Sequence, residues 1–328
     1  MSLCPFFGRC GGCLFQDKAP ADYFAMKKNV VIEALRHRGL TPPVDDVIAI
    51  PAGTRRRATF AAKNGVFGFN ALKSHTIVPV TTCPVLTKNL EQLIKPLAEL
   101  ARTLHATGDV AVTDTPLGVD IVWKDKNPDL PLSKLETLTA FCQTHAVARF
   151  YYRDEPIYQP HPLPFPPGVF LQPSEEGQAV LTQRVLKGVE GCRRVLDLFC
   201  GQGTFTRPLH AAGLTVKGYD STAESIAALV QSGIAAEVRD LFRNPLTPSE
   251  LQDAEAVVLD PPRAGAEAQC RRLADSTVPR CVMVSCNPQT FARDAAILTA
   301  GGARLCSVTP VDQFIYSKHI EVVGVFLR

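Results

Sequence analysis

The sequence lacks any apolar run that approaches the length of a membrane-spanning helix. Residues 1–16 also lack the basic start, apolar segment and small-residue cleavage site of a secretory signal peptide. No internal repeat or low-complexity tract is evident, which argues against a repeat protein. The sequence therefore indicates a globular protein, and its 328 residues are enough for two domains, each with its own core.

Acidic residues are missing from one long stretch of the chain. No Asp or Glu occurs between Val47 and Leu90, although six Lys and Arg residues do. A locally basic surface is typical of a nucleic-acid site, so Arg55, Arg56 and Arg57 are candidates for RNA contacts. The alternative is a solvated strand edge that carries arginines.

Cysteine, in contrast, is abundant, with eleven residues that predict a reducing cytosolic compartment rather than a disulfide scaffold. Cys4, Cys10 and Cys13 form a C-x5-C-x2-C arrangement, and such clustering indicates a metal. Cys83, in a Thr- and Pro-rich turn, is the candidate for a fourth ligand. Four thiolates suit zinc or an iron–sulfur cluster equally well, so the residues alone leave the metal open.

The first half of the chain mixes helical and strand patterns, with Asn64-Gly65 typical of a hairpin turn. Six prolines between Pro156 and Pro167 predict an extended crossing to a second domain. We therefore expect a smaller α+β domain over residues 1–165, with helix 21–38 a candidate to pack on the second domain. Helices are predicted at residues 21–38 and 86–104, and strands at residues 44–80, 110–123 and 146–152.

Residues 166–328 alternate helical patterns with short apolar runs, which predicts a doubly wound, mostly parallel α/β sheet. One predicted strand runs into Gly201-x-Gly203, and the next ends at Asp220, whose carboxylate suits a ribose. A third glycine and a P-loop lysine are both missing. S-adenosylmethionine, which has a ribose but no phosphates, therefore fits better than a dinucleotide.

Further acidic side chains follow the next predicted strands. Asp240 is a candidate for an adenine contact or only for a cap at a strand end. Asp260 ends a strand at residues 256–259 and precedes two prolines, which hold it at the rim where ligands bind in such sheets.

Cys286 lies between an apolar strand and a predicted helix that begins at Pro288, with Asn287 as its N-cap. The positive end of a helix lowers the pKa of a thiol, which makes Cys286 a candidate nucleophile. The alternative is a small buried residue that ends a core strand. Glu321 precedes the last strand, where a carboxylate entering a core has either a chemical role or an ion pair with Lys318 or His319.

Taken together, these motifs resemble the RNA 5-methyluridine methyltransferase family from residue 4 to residue 321. The matching segments are F-x-Q at residues 170–172, DLFCGQG at 197–203, DPPR at 260–263, SCNP at 285–288 and DxF…HxE at 312–321. The resemblance implies a class I methyltransferase fold, with Cys286 as the nucleophile and Glu321 as the base. Arg263, in the DPPR segment, is a further candidate for an RNA contact. The cofactor positions that the resemblance implies are Gln172, Phe199, Gly201, Gly203, Thr204, Asp220 and Asp260.

The resemblance also implies a 4Fe-4S cluster on Cys4, Cys10, Cys13 and Cys83, found in the ribosomal RNA members of the family. Because the chain starts directly at these cysteines, without a TRAM domain, it is most similar to the RlmC-type 23S rRNA enzymes. A cytoplasmic monomer is expected. Thr204, Asp220 and Ile315 replace the more usual Asn, Glu and Pro, which affects the cofactor site and the loop before Glu321.

The expected reaction is addition of the Cys286 thiolate to carbon-6 of uracil, methylation of carbon-5, and removal of the carbon-5 proton by Glu321. One alternative is the same reaction on tRNA. Another is an amino-methyltransferase that uses Asp-Pro-Pro to hold the exocyclic amine of a base. A third is an RNA-binding or iron–sulfur protein without methyltransferase activity.

Overall fold

The computed structural model of the chain describes residues 3–126 and 132–328, whose strands form one sheet of eight strands and one of seven. No helix in these two ranges is long and apolar enough to cross a membrane. In chain order the strands are β1 (Ile48–Ala49), β2 (Arg57–Lys63), β3 (Val66–Asn70), β4 (Ile77–Val78), β5 (Gly108–Thr115), β6 (Gly118–Asp125), β7 (Val147–Tyr152), β8 (Glu155–Tyr158), β9 (Arg194–Leu198), β10 (Thr215–Asp220), β11 (Ala235–Val238), β12 (Ala256–Leu259), β13 (Arg280–Ser285), β14 (Arg304–Asp312) and β15 (Glu321–Leu327). The helices are α1 (Pro20–Arg36), α2 (Lys88–Leu104), α3 (Leu132–Thr144), α4 (Glu175–Gly188), α5 (Thr206–Ala211), α6 (Ala223–Gln231), α7 (Pro248–Leu251), α8 (Glu267–Ala274) and α9 (Pro288–Ala300).

The seven-stranded sheet has the order β4-β3-β2-β5-β6-β7-β8 and is antiparallel except between β6 and β7. The predicted hairpin is confirmed, because Asn64 and Gly65 have positive φ and join β2 to β3. Phe67 is buried against Phe60, with ring centroids 4.8 Å apart, so it belongs to the core. The single strand predicted at residues 110–123 is instead the pair β5 and β6, which turns at residues 116–117.

The predicted proline-rich crossing is shorter than expected. Pro156 lies in β8, where it pairs with Tyr151 of β7. A proline has no N–H to donate, but β8 is an edge strand of the sheet and has no neighbour on its outer side. The extended connection to α4 therefore begins only after Tyr158.

The eight-stranded sheet has the order β1-β14-β15-β13-β12-β9-β10-β11. Its strand pairs are parallel except those of β15, which runs antiparallel between β13 and β14. This is the mostly parallel α/β sheet that the sequence predicts. Because β15 is reversed, its start lies at the edge where β12 and β13 end, and Val322 pairs with Ser285.

Residues before the proline-rich segment contribute to both sheets. Helix α1 packs against α9 and β14, and β1 pairs in parallel with β14, with Ile48 opposite Val311. A boundary between domains at residues 165 and 166 stays a prediction.

Asp312, the last residue of β14, is held by two side chains of α1. Its carboxylate accepts hydrogen bonds from Tyr23 Oη and from Lys27 Nζ, the latter at 2.9 Å. Both members of the ion pair are buried, with side-chain exposures of 2% for Lys27 and 0% for Asp312. Tyr23 Oη also accepts from the backbone N–H of Tyr316 at 2.7 Å. The start of the chain is thereby fixed to the loop that leads to Glu321.

Replacing Lys27 by Met is expected to destabilise the fold by about 3–5 kcal/mol, because Asp312 would keep a buried charge without its cation. The midpoint of urea denaturation, followed by circular dichroism, measures this effect. Lys28→Met is the control, since Lys28 pairs with Asp46, whose side chain is fully exposed. Equal midpoints for the two variants would contradict a structural role for the buried pair.

Candidate active site

Three predicted site residues meet at one edge of the eight-stranded sheet. Asp260 follows β12, Cys286 follows β13, and Glu321 begins the reversed strand β15. The pKa of Asp260 lies well above its usual range because its carboxyl group is buried and because Glu321 and Asp197 add negative charge. The structure therefore brings together the thiol and the two carboxyl groups that the sequence selected.

Cys286 lies at the turn that the sequence predicts. The Asn287 side chain accepts a hydrogen bond from the Gln289 N–H at 3.1 Å, and α9 begins at Pro288. The predicted lowering of the thiol pKa is wrong, however. Burial, followed by the charge of Glu321, raises the pKa of Cys286 to about 11, and Arg263 opposes this rise. Burial and the charge of Glu321 outweigh the effect of the positive end of α9, so the thiol is protonated at neutral pH.

Glu321 is 4% exposed, and burial raises the pKa of its carboxyl group to about 7. Gln313 Nε2 donates to its Oε1 at 3.2 Å and to Gln172 Oε1 at 2.8 Å. The alternative ion pair with Lys318 or His319 is absent from the described residues. Glu321 is thus a buried carboxyl group with a pKa near neutral pH, which suits a general base.

Arg263 ties the Asp-Pro-Pro-Arg turn to its surroundings. Its backbone oxygen accepts from Asn287 Nδ2 and from Thr290 Oγ1, both at 3.2 Å. Its guanidinium lies 3.4 Å from His319 Nε2. Burial, together with Arg263 and other cations, lowers the pKa of His319 to about 4, so this imidazole is neutral and can accept from Arg263. The charge of Arg263 acts on both Cys286 and Glu321.

The glycine loop after β9 has the backbone of a ligand-binding turn. Phe199, Gly201 and Gly203 all have positive φ (63°, 52° and 85°), which is costly for a phenylalanine. Asp220 accepts from the Gly201 N–H at 3.0 Å and from the Thr222 N–H at 2.8 Å. Its two oxygens keep lone pairs for a ribose. Half-buried Thr204 follows the loop.

Asp240 has a local role. Its Oδ1 accepts hydrogen bonds from the N–H groups of Phe242 and Arg243, at 3.0 and 3.2 Å. Asp240 thus caps the turn after β11, which is one of the two roles that the sequence suggested. Phe242 and Phe199 approach with ring centroids 5.3 Å apart.

Asp197 was not selected from the sequence, although one carboxylate within the apolar strand β9 is a signal in itself. It is fully buried, and burial raises its pKa to about 7. Thr206 Oγ1 donates to its Oδ2 at 2.6 Å, while Oδ1 has no partner among the described residues. A second residue missed by the sequence is Gln313, whose position inside the DxF motif was the available signal.

Arg56 and Arg57, predicted as RNA contacts, use their donors within the chain. Arg56 donates to the Gln172 backbone oxygen at 2.9 Å and to the side chains of Glu175 and Gln178. Arg57 donates to the Leu171 backbone oxygen at 2.8 Å and stacks on Phe170 at 4.7 Å. Both therefore hold the segment that carries Gln172, and their contact with RNA stays a prediction.

The four amino-terminal cysteine candidates line one cavity of about 780 Å³, together with Arg55, Arg263 and the loop 314–319. Burial raises the pKa of Cys83 to about 12, and the other three thiols add to this rise. Within residues 3–126 and 132–328, however, no group of three His, Cys, Asp or Glu side chains that could hold a metal ion is found. The Arg55 guanidinium lies 5.9 Å from the Phe314 ring, inside this cavity rather than on an open surface.

Comparison with known proteins gives relatives that are all named as RNA methyltransferases. A sequence model of the family described as tRNA (Uracil-5-)-methyltransferase matches residues 234–328. An uncharacterized RNA methyltransferase of Agrobacterium fabrum is 39% identical over 97% of this chain and 82% of its own length. The 23S rRNA (uracil(1939)-C(5))-methyltransferase RlmD of Erwinia tasmaniensis is 32% identical over 99% of this chain and 82% of its own length.

Among solved structures, the tRNA (uracil-54, C5)-methyltransferase of Pyrococcus abyssi in complex with S-adenosyl-L-homocysteine is similar, with a TM-score of 0.75. The match covers 96% of this chain and 86% of that one at 23% identity, so it shows the shared fold. The predicted class I methyltransferase fold is confirmed. With relatives above 30% identity that span nearly all of it, the chain belongs to the RNA (uracil-5-)-methyltransferase family of S-adenosylmethionine-dependent enzymes.

Proposed function

We propose that this enzyme methylates carbon-5 of a uridine in 23S rRNA through a covalent bond between Cys286 and carbon-6. The observation that carries the proposal is the meeting of Cys286, Glu321 and Asp260 at one edge of the sheet, where Glu321 raises the pKa of the other two groups. The RlmD relative favours ribosomal RNA, whereas the family model and the Pyrococcus neighbour are named for tRNA. The narrower RlmC-type assignment and a cytoplasmic location stay predictions.

The cofactor site fits S-adenosylmethionine, which supplies an activated methyl group when bound. Asp220 retains acceptor lone pairs beside the positive-φ glycine loop, and the buried Asp197 Oδ1 lacks a partner among the described residues. Gln172, Phe199, Gly201, Gly203, Thr204, Asp220 and Asp260 are the residues proposed to hold it.

The chemistry assigns different tasks to the two reactive side chains. Cys286, which is partly exposed, must lose its proton to solvent before it attacks carbon-6, and Arg263 favours the thiolate. The addition makes carbon-5 nucleophilic toward the methyl group. Glu321 then takes the proton from carbon-5, and the bond between carbon-6 and Cys286 breaks. The uridine must be unpaired or extruded to reach these groups.

The division of tasks predicts two different defects. Cys286→Ala is expected to abolish methylation, because no other group adds to carbon-6. Glu321→Gln is expected to transfer the methyl group but retain the RNA as a denaturant-resistant covalent complex. Gel electrophoresis of the protein with radiolabelled RNA, alongside chromatography of digested nucleosides, measures both.

Cys306→Ala serves as the control, because Cys306 lies on β14 away from this edge. Methylation on a ring nitrogen or exocyclic amine, rather than on carbon-5, would contradict the proposed reaction. Free turnover by Glu321→Gln would contradict the role of the base.

The raised pKa of Glu321 also predicts that the free energy of unfolding decreases as the pH rises toward 7. A carboxyl group with a folded pKa of about 7 and an ordinary value of 4.5 binds its proton more tightly when folded, so stability falls as pH rises through this window. Glu321→Gln is expected to increase the free energy of unfolding by about 3 kcal/mol at pH 8 and by less than about 1 kcal/mol at pH 5. Urea denaturation at the two pH values measures this. An equal effect at both pH values would contradict a buried carboxyl group titrating near neutrality.

We further propose that Cys4, Cys10, Cys13 and Cys83 hold a 4Fe-4S cluster within residues 1–165, and that residues 166–328 form the methyltransferase domain. The shared cavity and the mutual influence of the four thiols support a common ligand. Four thiolates suit zinc or an iron–sulfur cluster, and the resemblance to the ribosomal RNA members of the family favours the cluster.

Anaerobically purified protein is expected to be brown, with broad visible absorption and about four irons per chain. Cys83→Ser should lose the colour and most of the iron, whereas Cys306→Ser should keep both. A colourless protein with one zinc per chain would contradict the cluster and support a zinc site.

A further inference from the structure

Gln313 lies directly after β14 and connects two residues of the proposed reaction. It is 4% exposed, and its Nε2 lies 2.8 Å from Gln172 Oε1 and 3.2 Å from Glu321 Oε1. In the described part of the chain, no other side chain is hydrogen-bonded to the Glu321 carboxylate. Among the described residues, Gln313 therefore forms the one hydrogen-bonded link between Glu321 and Gln172.

The other end of the Gln313 carboxamide is enclosed. Its Oε1 is buried and has no partner among the described residues. A Cβ added to Gly177, in the first turn of α4, would lie 2.6 Å from this Oε1 and 2.9 Å from Gln313 Cβ. Gly177 thus leaves the space that Gln313 fills, and the tight fit fixes the side chain in one place.

The orientation of the carboxamide follows from its neighbours. Nε2 faces two acceptor oxygens, whereas a flipped amide would place its own oxygen against both of them. A donor aimed at Glu321 stabilises the carboxylate over the protonated acid. The other charged or titratable groups that act with Glu321 are Arg263, which favours the carboxylate, and the acidic groups of Asp260 and Cys286.

We propose that Gln313 is a positioning residue: its carboxamide holds the Glu321 carboxylate toward the reacting uridine and ties it to Gln172. The inference rests on the function proposed above. The step concerned is release of the adduct, in which Glu321 takes the carbon-5 proton, the C–H electron pair forms the carbon-5 to carbon-6 double bond, and the C–S bond electrons return to Cys286. Formation of the adduct does not require Glu321 to be ionised.

The test is Gln313→Met, which keeps an unbranched side chain of similar length but removes the donor. Release of methylated RNA at pH 7 is expected to slow about fivefold, because the pH profile of release should shift upward by about one unit from a pKa of about 7. Methyl transfer into the adduct in a single turnover should change less than about threefold. Rapid-quench sampling that separates covalent from released RNA, at pH values from 6 to 9, gives both rates.

Gln269→Met is the matched control, because Gln269 is also buried and, among the described residues, its side chain hydrogen-bonds the backbone of Leu246 rather than a proposed site residue. Its thermal midpoint should fall without a change in the pH profile. Gly177→Ala provides a second variant, whose added methyl group crowds Gln313 and the N-cap hydroxyl of Ser174 but no proposed catalytic group. It should move the release profile in the same direction, and it keeps the test available if Gln313→Met does not fold.

A wild-type release profile in folded Gln313→Met and Gly177→Ala, with Glu321→Gln stalled, would overturn the role of Gln313 and leave the proposed reaction intact. Free turnover by Glu321→Gln would instead overturn the proposed role of Glu321, and with it this inference.

Discussion

The reversed strand β15 is the constraint on which the site depends. Parallel strands all deliver their carboxyl ends to one edge, so β12 and β13 place Asp260 and Cys286 there. Only a strand of opposite direction inserted beside β13 can bring its first residue to that edge, and this is Glu321. Three acidic groups then share one partly dry space, which raises the pKa of each of them. Because burial makes ionisation costly, the pKa of Glu321 lies near neutral pH.

Most strands and helices of the fold could be predicted from the sequence, because they depend on local patterns of residues. The apolar run at Ala256–Leu259 and the Asn-Pro signal after Cys286 are local patterns, and β12 and α9 have the predicted positions. Asn64-Gly65 is another local signal, and its hairpin is present. The division of residues 110–123 into β5 and β6 was missed because apolar residues continue on both sides of the turn at residues 116–117, although Pro116 and Gly118 are local turn signals.

Long-range contacts in the site were not predictable in the same way. The thiol pKa of Cys286 depends on the charge of Glu321, which is 35 residues later in the chain and becomes a neighbour only through sheet pairing. The basic run at Arg55–Arg57 predicts an RNA surface, but sequence composition does not reveal that Arg56 and Arg57 use donors within the chain itself. The structure connects Arg56 to the backbone of Gln172, and Gln172 through Gln313 to Glu321. Arg56, directly before β2 of the seven-stranded sheet, is thereby linked by hydrogen bonds to the proposed base.

The central claim is that Cys286 attacks carbon-6 of uracil. RNA that carries 5-fluorouridine tests it directly, because the fluorine at carbon-5 replaces the proton that Glu321 would remove and so traps the adduct. After incubation with S-adenosylmethionine and digestion, mass spectrometry of the cross-linked peptide identifies the residue that carries the nucleotide. The account predicts one modified peptide, with the methylated fluorouridine on Cys286. A cross-link to another residue, or methyl transfer to unmodified RNA with no trapped adduct on the fluorinated substrate, would contradict it.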